Sequence, residues 1–298
     1  MDVRSVGEFG LIKRFCAQIT SDASVKQGPG DDCAVLAFNK QKYLLFTCDM
    51  IVEGQDFTRD DPAHLIGRKA LAISISDIAA CGGIPRHAVV SLGLPAATSL
   101  KFVDNMFKGM RALAKKFSIN IVGGDISKAH EVVIDVSMLG EVEKEHLVLR
   151  RGAKPGDIFF VTGPLGGTIK GKHLDFTPRL EVSRFLVSHF SVHAMIDISD
   201  GLVQDLKHIL KASGIGARID TRLIPVSLEA GDLDDALTGG EDFELLFALS
   251  RKDARKLLKN NPFHCQSIGE AVEKKYGCTF TGWHADRLSC LKKGFQHF

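Results

Sequence analysis

Hydrophobic positions along the chain change period several times, and each change marks an element. Lys42 to Val52 (KYLLFTCDMIV) is an apolar, aromatic and β-branched run that predicts a buried strand. From His64 to Ala80 the apolar positions Leu65, Ala72, Ile75 and Ile78 recur on a helical face, and Gly82-Gly83 supplies the stop. Ala88 to Leu94 predicts a strand and Ser99 to Phe117 an amphipathic helix. Ile119 to Val122 predicts a short strand ending at Gly123-Gly124, and Val132 to Val142 another. After a charge-rich patch at Glu143 to Glu145, the turn-like Arg151 to Asp157 leads into a strand at Ile158 to Thr162. Ala194 to Ile198 then predicts a strand, Gly201 to Ala212 a helix closed by Gly214, and Phe243 to Leu249 a strand. The alternation predicts an α+β protein, a two-lobed α/β sandwich with one unit over 1–143 and another over 144–298.

Composition narrows the class without naming a chemistry. A length of 298 residues is more than one ordinary core needs, which agrees with two lobes. With 45% hydrophobic and 25% charged residues the balance is that of a soluble globular protein. A net charge of +2 argues against a nucleic-acid or membrane surface. The opening MDVRSVGEFGLIKRF mixes both charge signs, so no signal peptide is expected, and nothing approaches the roughly 18 apolar residues of a membrane span. Seven cysteines without a Cys-x-x-Cys pair point to reduced thiols and a cytoplasmic location.

The informative feature is a set of aspartates at the ends of apolar segments, beside glycines. They are Asp31 and Asp32 in GPGDDCAV, Asp49 in LLFTCDMIVEG, Asp77 in AISISDIAACGG, Asp125 in INIVGGDIS, and Asp197 and Asp200 in AMIDISDGL. Any one of these reads as well as a turn or a helix cap, Ser199 and Asp200 ahead of their helix included. Buried carboxylates without partners are costly, however, and Lys and Arg are scarce in these segments. Hard divalent cations suit such oxygen ligands, and magnesium takes only one or two carboxylates per ion. Several magnesium ions holding ATP against a phosphorylated acceptor would draw single aspartates from many loops.

Other motifs carry less. Gly166 to His173 (GGTIKGKH) approaches a phosphate-binding loop, but His173 stands where a hydroxyl would reach magnesium. A glycine-rich turn whose amides help hold phosphate stays open. His189 and His193 are four apart with no acidic companion in the sequence and read as structural. Cys48 reads as a small packing residue, and Cys16 falls inside a helical pattern.

Taken in order, GDDCAV, TCDMIVEG, ISDIAACGG, VGGDIS, LRRGAKPGD, IDISDGL and GGEDFEL resemble the thiamine-monophosphate kinase family over nearly the whole chain. That family lies within the group that includes aminoimidazole ribotide synthetase, selenophosphate synthetase and the hydrogenase maturation protein HypE. The resemblance implies a magnesium cage of Asp32, Thr47, Cys48 through its backbone, Asp49, Asp77, Asp125, Asp197 and Asp200. Of these, Asp49, Asp77, Asp125 and Asp200 are the expected catalytic set. It implies ATP contacts at Gly124, Asp125, Arg150 and Ser199, and thiamine monophosphate contacts at Glu241 and Phe295. It also implies a homodimer in which N-terminal lobes close a β-barrel across the interface. Where family members usually carry E-G-x-H-F, this chain has Glu53 to Phe57, with Asp56 replacing a histidine that the resemblance places near the acceptor, which makes Asp56 an expected substrate residue. Cys48 and Ile126 replace hydroxyl residues, and the stretch from Gly163 to Met195 is short. The implied reaction is direct in-line transfer of the ATP γ-phosphoryl group to thiamine monophosphate. Its alternatives are a relative with another small acceptor and a non-catalytic nucleotide-binding dimer.

Overall fold

A computed structural model describes residues 3–282. Two six-stranded mixed sheets carry the architecture. Helices α1 (Val3–Val6) and α2 (Glu8–Cys16) precede the first sheet, which contains β1 (Val25–Gln27), β2 (Ala34–Ala37) and β3 (Lys42–Val52). Helix α3 (Ala63–Ala80), β4 (Ile84–Leu94), α4 (Leu100–Lys116), β5 (Asn120–Lys128) and β6 (Val133–Glu143) complete that half. Its strand order is β1-β2-β3-β6-β4-β5, antiparallel except for the β4–β5 pair, which leaves β5 as an edge.

The second sheet uses β7 (Ile158–Val161), β8 (Val192–Asp197), β9 (Ile215–Asp220), β10 (Leu245–Leu249), β11 (Gln266–Glu273) and β12 (Cys278–Thr281). Its order is β12-β9-β11-β7-β10-β8. Between these strands run α5 (Lys172–Asp175), α6 (Leu180–His189), α7 (Leu202–Ser213), α8 (Leu233–Thr238) and α9 (Arg251–Lys259).

Burial explains the two sequence patterns. On β3 and β6 every second residue is buried (Leu45, Thr47 and Ile51; Ile134, Val136, Met138 and Val142), because only one face packs on α3 and α4. The other face of that sheet is open, and Phe46, Met50 and Leu139 project from it. β10 is buried along its whole length, since helices cover both faces of the second sheet. That is why Leu245 to Leu249 reads as an unbroken apolar run.

Helix α3 touches both halves, packing on β3 and β6 and on α6 and β8. Its apolar residues surround it rather than forming a stripe, as a central helix requires. The helix ends at Gly82-Gly83 as the sequence predicts: Gly83 N–H donates to Ile78 O and Gly82 N–H to Ala79 O, with Gly82 left-handed at φ 73°. One expectation fails at Gly123-Gly124. The strand does not stop there but continues to Lys128, because Gly124 lets it approach β4, where a Cβ would lie 1.8 Å from Val90 O.

Candidate active site

The aspartates converge where α3 meets the inner end of both halves. Asp49 comes from β3, Asp77 from the last turn of α3, Asp197 from the end of β8, and Asp32 from the loop before β2. Oxygen atoms of Asp32, Asp77 and Asp197 lie within 4.8 Å of one another. Asp32 and Asp197 are buried, whereas Asp49 and Asp77 keep part of their surface accessible, so the cluster has an open side.

One turn of α3 supplies its hydroxyls. Ser76 Oγ donates to Asp197 Oδ2 at 2.6 Å, and Ser74 Oγ donates to Asp49 Oδ2 at 2.9 Å. Thr47 Oγ1 donates to Asp77 Oδ2. Ser74 and Ser76 went unnoticed in the sequence. Their signal is a pair of small hydroxyls in the otherwise apolar run Ala70 to Ser76.

Like charges crowded in a poorly solvated space resist ionisation. Burial, with Asp32 adding to it, pushes Asp197 up to about 8, and burial pushes Asp49 to about 6. Asp77 rises well above the usual carboxylate range through burial and the charges of Asp49, Asp197 and Asp32. Asp31, also burdened by burial and then by Asp32, sits at about 7. The cluster therefore either keeps protons or takes a cation.

One cation of the chain's own is present, in a pairing the sequence does not show. The Arg150 guanidinium faces Asp32 Oδ1 at 2.6 Å, and Asp31 accepts from the Arg150 backbone N–H at 3.2 Å. The loop of Asp31 and Asp32 thus fixes Arg150 twice, by backbone and by side chain. Asp32 Oδ2 remains buried without a hydrogen-bond partner. A single guanidinium cannot balance four carboxylates.

Asp200 stands slightly apart, in a group with Asp205 and His208 whose ligand atoms lie within 4.8 Å of one another. Asp205, buried on α7 and unremarked in the sequence, accepts the Asp200 backbone N–H at 3.1 Å. Burial and then Arg150 lower His208 to about 4, so it is neutral at pH 7. Ser199 precedes Asp200 in the same loop, and its carbonyl accepts the Glu241 N–H at 2.7 Å.

Other expected residues fall elsewhere. Cys48 points to the open face of its sheet, opposite Thr47 and Asp49, and is exposed rather than a packing residue. Gly124 and Asp125 lie on exposed β5, where register places Asp125 in a row with Ser91 and Asp135. Asp125 belongs to none of the acidic groups found among the described residues. Phe295 lies outside the described residues.

Glu241 and Asp56 meet through a residue the sequence reading missed. Lys69 Nζ donates to Glu241 Oε1 at 2.5 Å and to the Asp56 carbonyl at 2.9 Å. The Asp56 carboxylate closes its own turn by accepting from Val52 N–H at 2.7 Å. Next to it a cavity of about 580 Å³ opens between α2 and the first sheet. Leu11, Ile12, Phe15, Met50 and Val52 give it an apolar wall, and Glu8 and Asp56 give it carboxylates.

The glycine turn at Gly166-Gly167 does not offer its amides to phosphate. Gly166 N–H already donates to Asp242 at 2.9 Å and Gly167 N–H to Asp235 at 3.0 Å. His193 has an acidic companion after all, Asp157 at 2.8 Å, which ties β8 to the turn before β7.

Comparison with known proteins follows the same outline. Residues 30–142 match the family described as AIR synthase related protein, N-terminal domain, and residues 160–279 match its C-terminal domain. A thiamine-monophosphate kinase of Rhodopirellula baltica is 37% identical over 248 residues, covering 77% of this chain and 78% of that protein. The thiamine-monophosphate kinase of Bacillus subtilis is 33% identical, covering 98% of this chain and 99% of its own length. Among solved structures, one described as AaThiL complexed with AMPPCP and TMP superposes with a TM-score of 0.87 at 30% identity, covering 100% of this chain and 99% of that one. The hydrogenase maturation protein HypE of Escherichia coli shares the fold at 21% identity, with a TM-score of 0.70 over 92% of this chain and 94% of its own. With both domain families matched in order and relatives above 30% identity along nearly its full length, the chain belongs to the AIR synthase related family and, within it, to the thiamine-monophosphate kinases.

Proposed function

We propose that this chain phosphorylates thiamine monophosphate to thiamine diphosphate, using ATP and magnesium ions held at the acidic cluster. The observation that carries this reading is the convergence of Asp32, Asp77 and Asp197, with Asp49 beside Asp77, one guanidinium on Asp32, and the buried Asp32 Oδ2 unpartnered. Hard oxygen donors crowded in this way fit magnesium, which would displace the protons they hold. Asp32, Asp49, Asp77 and Asp197 would hold the ions, with Thr47, the Cys48 backbone and Asp200 at the margin. Bound there, magnesium supplies neutralisation of the nucleotide phosphates, whose mutual repulsion otherwise opposes transfer.

The remaining work falls to the chain itself. Arg150, anchored by Asp31 and Asp32, orients phosphate oxygens as a fork of donors. Ser199 lies in the loop that also carries Asp200, and contacts the nucleotide. The acceptor phosphate is already an anion at neutral pH, so positioning matters more than a general base. The apolar cavity beside Asp56, rimmed by carboxylates, suits a cationic heteroaromatic such as the thiazolium of thiamine.

The same reading includes a homodimer. On the open face of the first sheet, Met50 is 58% exposed and Val122 62%. Such side chains favour a partner sheet, and closing two sheets into a barrel removes the β5 edge. Gly124 and Asp125, on the edge strand β5 and outside the acidic groups, would then serve the nucleotide site of the second copy. The cytoplasm is the location that fits an enzyme of this chemistry; no helix among the described residues is long and apolar enough to cross a membrane.

Purified protein incubated with magnesium, ATP and thiamine monophosphate tests the reading by chromatography of thiamine diphosphate. Product that needs all three components is the expected result. ATP binding without product would remove the acceptor from the proposal.

A further inference from the structure

Lys69 is a lysine where packing alone asks for an apolar side chain. It lies on α3 between Arg68 and Ala70 with a fully buried side chain, and it faces two segments far from it in sequence. A buried ammonium is retained at a cost in desolvation, which a well-packed apolar residue would avoid. Its partners are the Glu241 carboxylate, 172 positions away, and the Asp56 carbonyl, 13 positions away.

Glu241 is held in an unusual way. Its φ is +56° and that of Phe243 is +50°, left-handed values that side chains other than glycine rarely take. The backbone is pinned on both sides: Glu241 N–H donates to Ser199 O at 2.7 Å and Phe243 N–H to Ile198 O at 2.8 Å. The flanking carboxylates are engaged elsewhere, Asp242 with Gly166 N–H and Glu244 with Arg179 and Thr162. Phe243 stacks on Phe176 with ring centres 4.1 Å apart. These contacts fix where the Glu241 backbone runs. Its side chain, still a quarter exposed, is directed by Lys69, the cation it meets among the described residues.

We propose that Lys69 is a positioning residue for the phosphate acceptor, setting the Glu241 carboxylate and the Asp56 turn in a common register across the two halves of the chain. This rests on the reading that Glu241 and Asp56 face thiamine monophosphate. Because the ion pair is closed, Glu241 acts as an oriented hydrogen-bond acceptor rather than as a net anion. Loss of Lys69 leaves the Glu241 side chain to turn outward, and the acceptor loses its guide while the nucleotide does not.

The test uses the full-length protein with Lys69→Met, Glu241→Gln and the double variant. Steady-state kinetics give KM for thiamine monophosphate and for ATP, calorimetry gives ATP binding, and thermal denaturation reports folding. Lys69→Met is expected to raise KM for thiamine monophosphate about tenfold or more, with ATP affinity within about twofold of wild type. The double variant is expected to be no worse than Lys69→Met alone, since Lys69 acts through Glu241. If Lys69→Met does not fold, Lys69→Gln, which keeps a polar end in the same space, takes its place with the same expected split. An unchanged acceptor KM, equal losses for acceptor and ATP, or additive effects in the double variant would overturn the proposal while leaving the kinase reading intact. Wild-type protein that makes no thiamine diphosphate would overturn both.

Discussion

At the scale of single residues, the active site is a balance between crowded carboxylates and too few cations. Arg150 is the protein's own contribution to that balance. Replacing it by methionine leaves Asp32 buried without its partner, which costs on the order of 3 kcal/mol in comparable buried pairs. Arg150→Met is therefore expected to lower the melting temperature in chelator, with magnesium restoring part of the loss; thermal denaturation with and without the ion measures both. The raised carboxylates also fix a pH dependence. Asp49 and Asp197 are carried up to about 6 and about 8, so the folded protein holds protons there that the unfolded chain has released above about pH 4. Their contribution to metal-free stability is complete below the unfolded value of 3.8 and is lost as pH rises through about 6 and then about 8. A divalent cation must displace the same protons, so apparent magnesium affinity should strengthen from pH 6 to pH 8. Calorimetry in buffers of different ionisation heat would show proton release on binding. Affinity that is flat with pH would mean that these carboxylates do not take the ion.

At the scale of elements, the site depends on how α3 begins and ends. Asp77 sits one turn from its C-terminus, and Gly82 makes the left-handed stop that turns the chain into β4. A Cβ at Gly82 would lie 2.4 Å from His146 O. Gly82→Ala is expected to destabilise the fold by about 1–3 kcal/mol through backbone strain and overpacking, seen as a lowered denaturation midpoint. Much of this level was legible in the sequence. The strand at Lys42 to Val52 and the helix ending before Gly82-Gly83 follow from period and punctuation, which are local properties. β5 was cut short because a Gly-Gly pair usually ends a strand, and only the neighbouring β4 backbone explains why it does not here. The aspartates were visible as costly residues in apolar surroundings. Lys69 with Glu241, Arg150 with Asp32, and the capture of the Gly166 and Gly167 amides were not. Each joins residues far apart in sequence, and pairing across folded distance leaves no local pattern.

At the scale of the whole molecule, the two sheets differ in what they leave uncovered. The second is wrapped on both faces, whereas the first shows an apolar face and the edge strand β5. A homodimer built on that face is disrupted by a charge at its most exposed apolar position on β5. Val122→Glu should shift sedimentation from dimer to monomer and reduce turnover with it, since the account gives Gly124 and Asp125 to the second copy's site. A variant that stays dimeric and fully active would remove this face from the interface.

The central claim is that the carboxylates gathered around α3 run a magnesium-dependent transfer from ATP to thiamine monophosphate. Its most direct measurement is the rate of thiamine diphosphate formation against magnesium concentration, for wild type and for Asp197→Asn, with the folding of both checked by thermal denaturation. The account predicts no product without magnesium, saturating formation in wild type, and a loss of about 100-fold or more in a folded Asp197→Asn protein. Equal rates in the two proteins, or product formed in chelator, would contradict it.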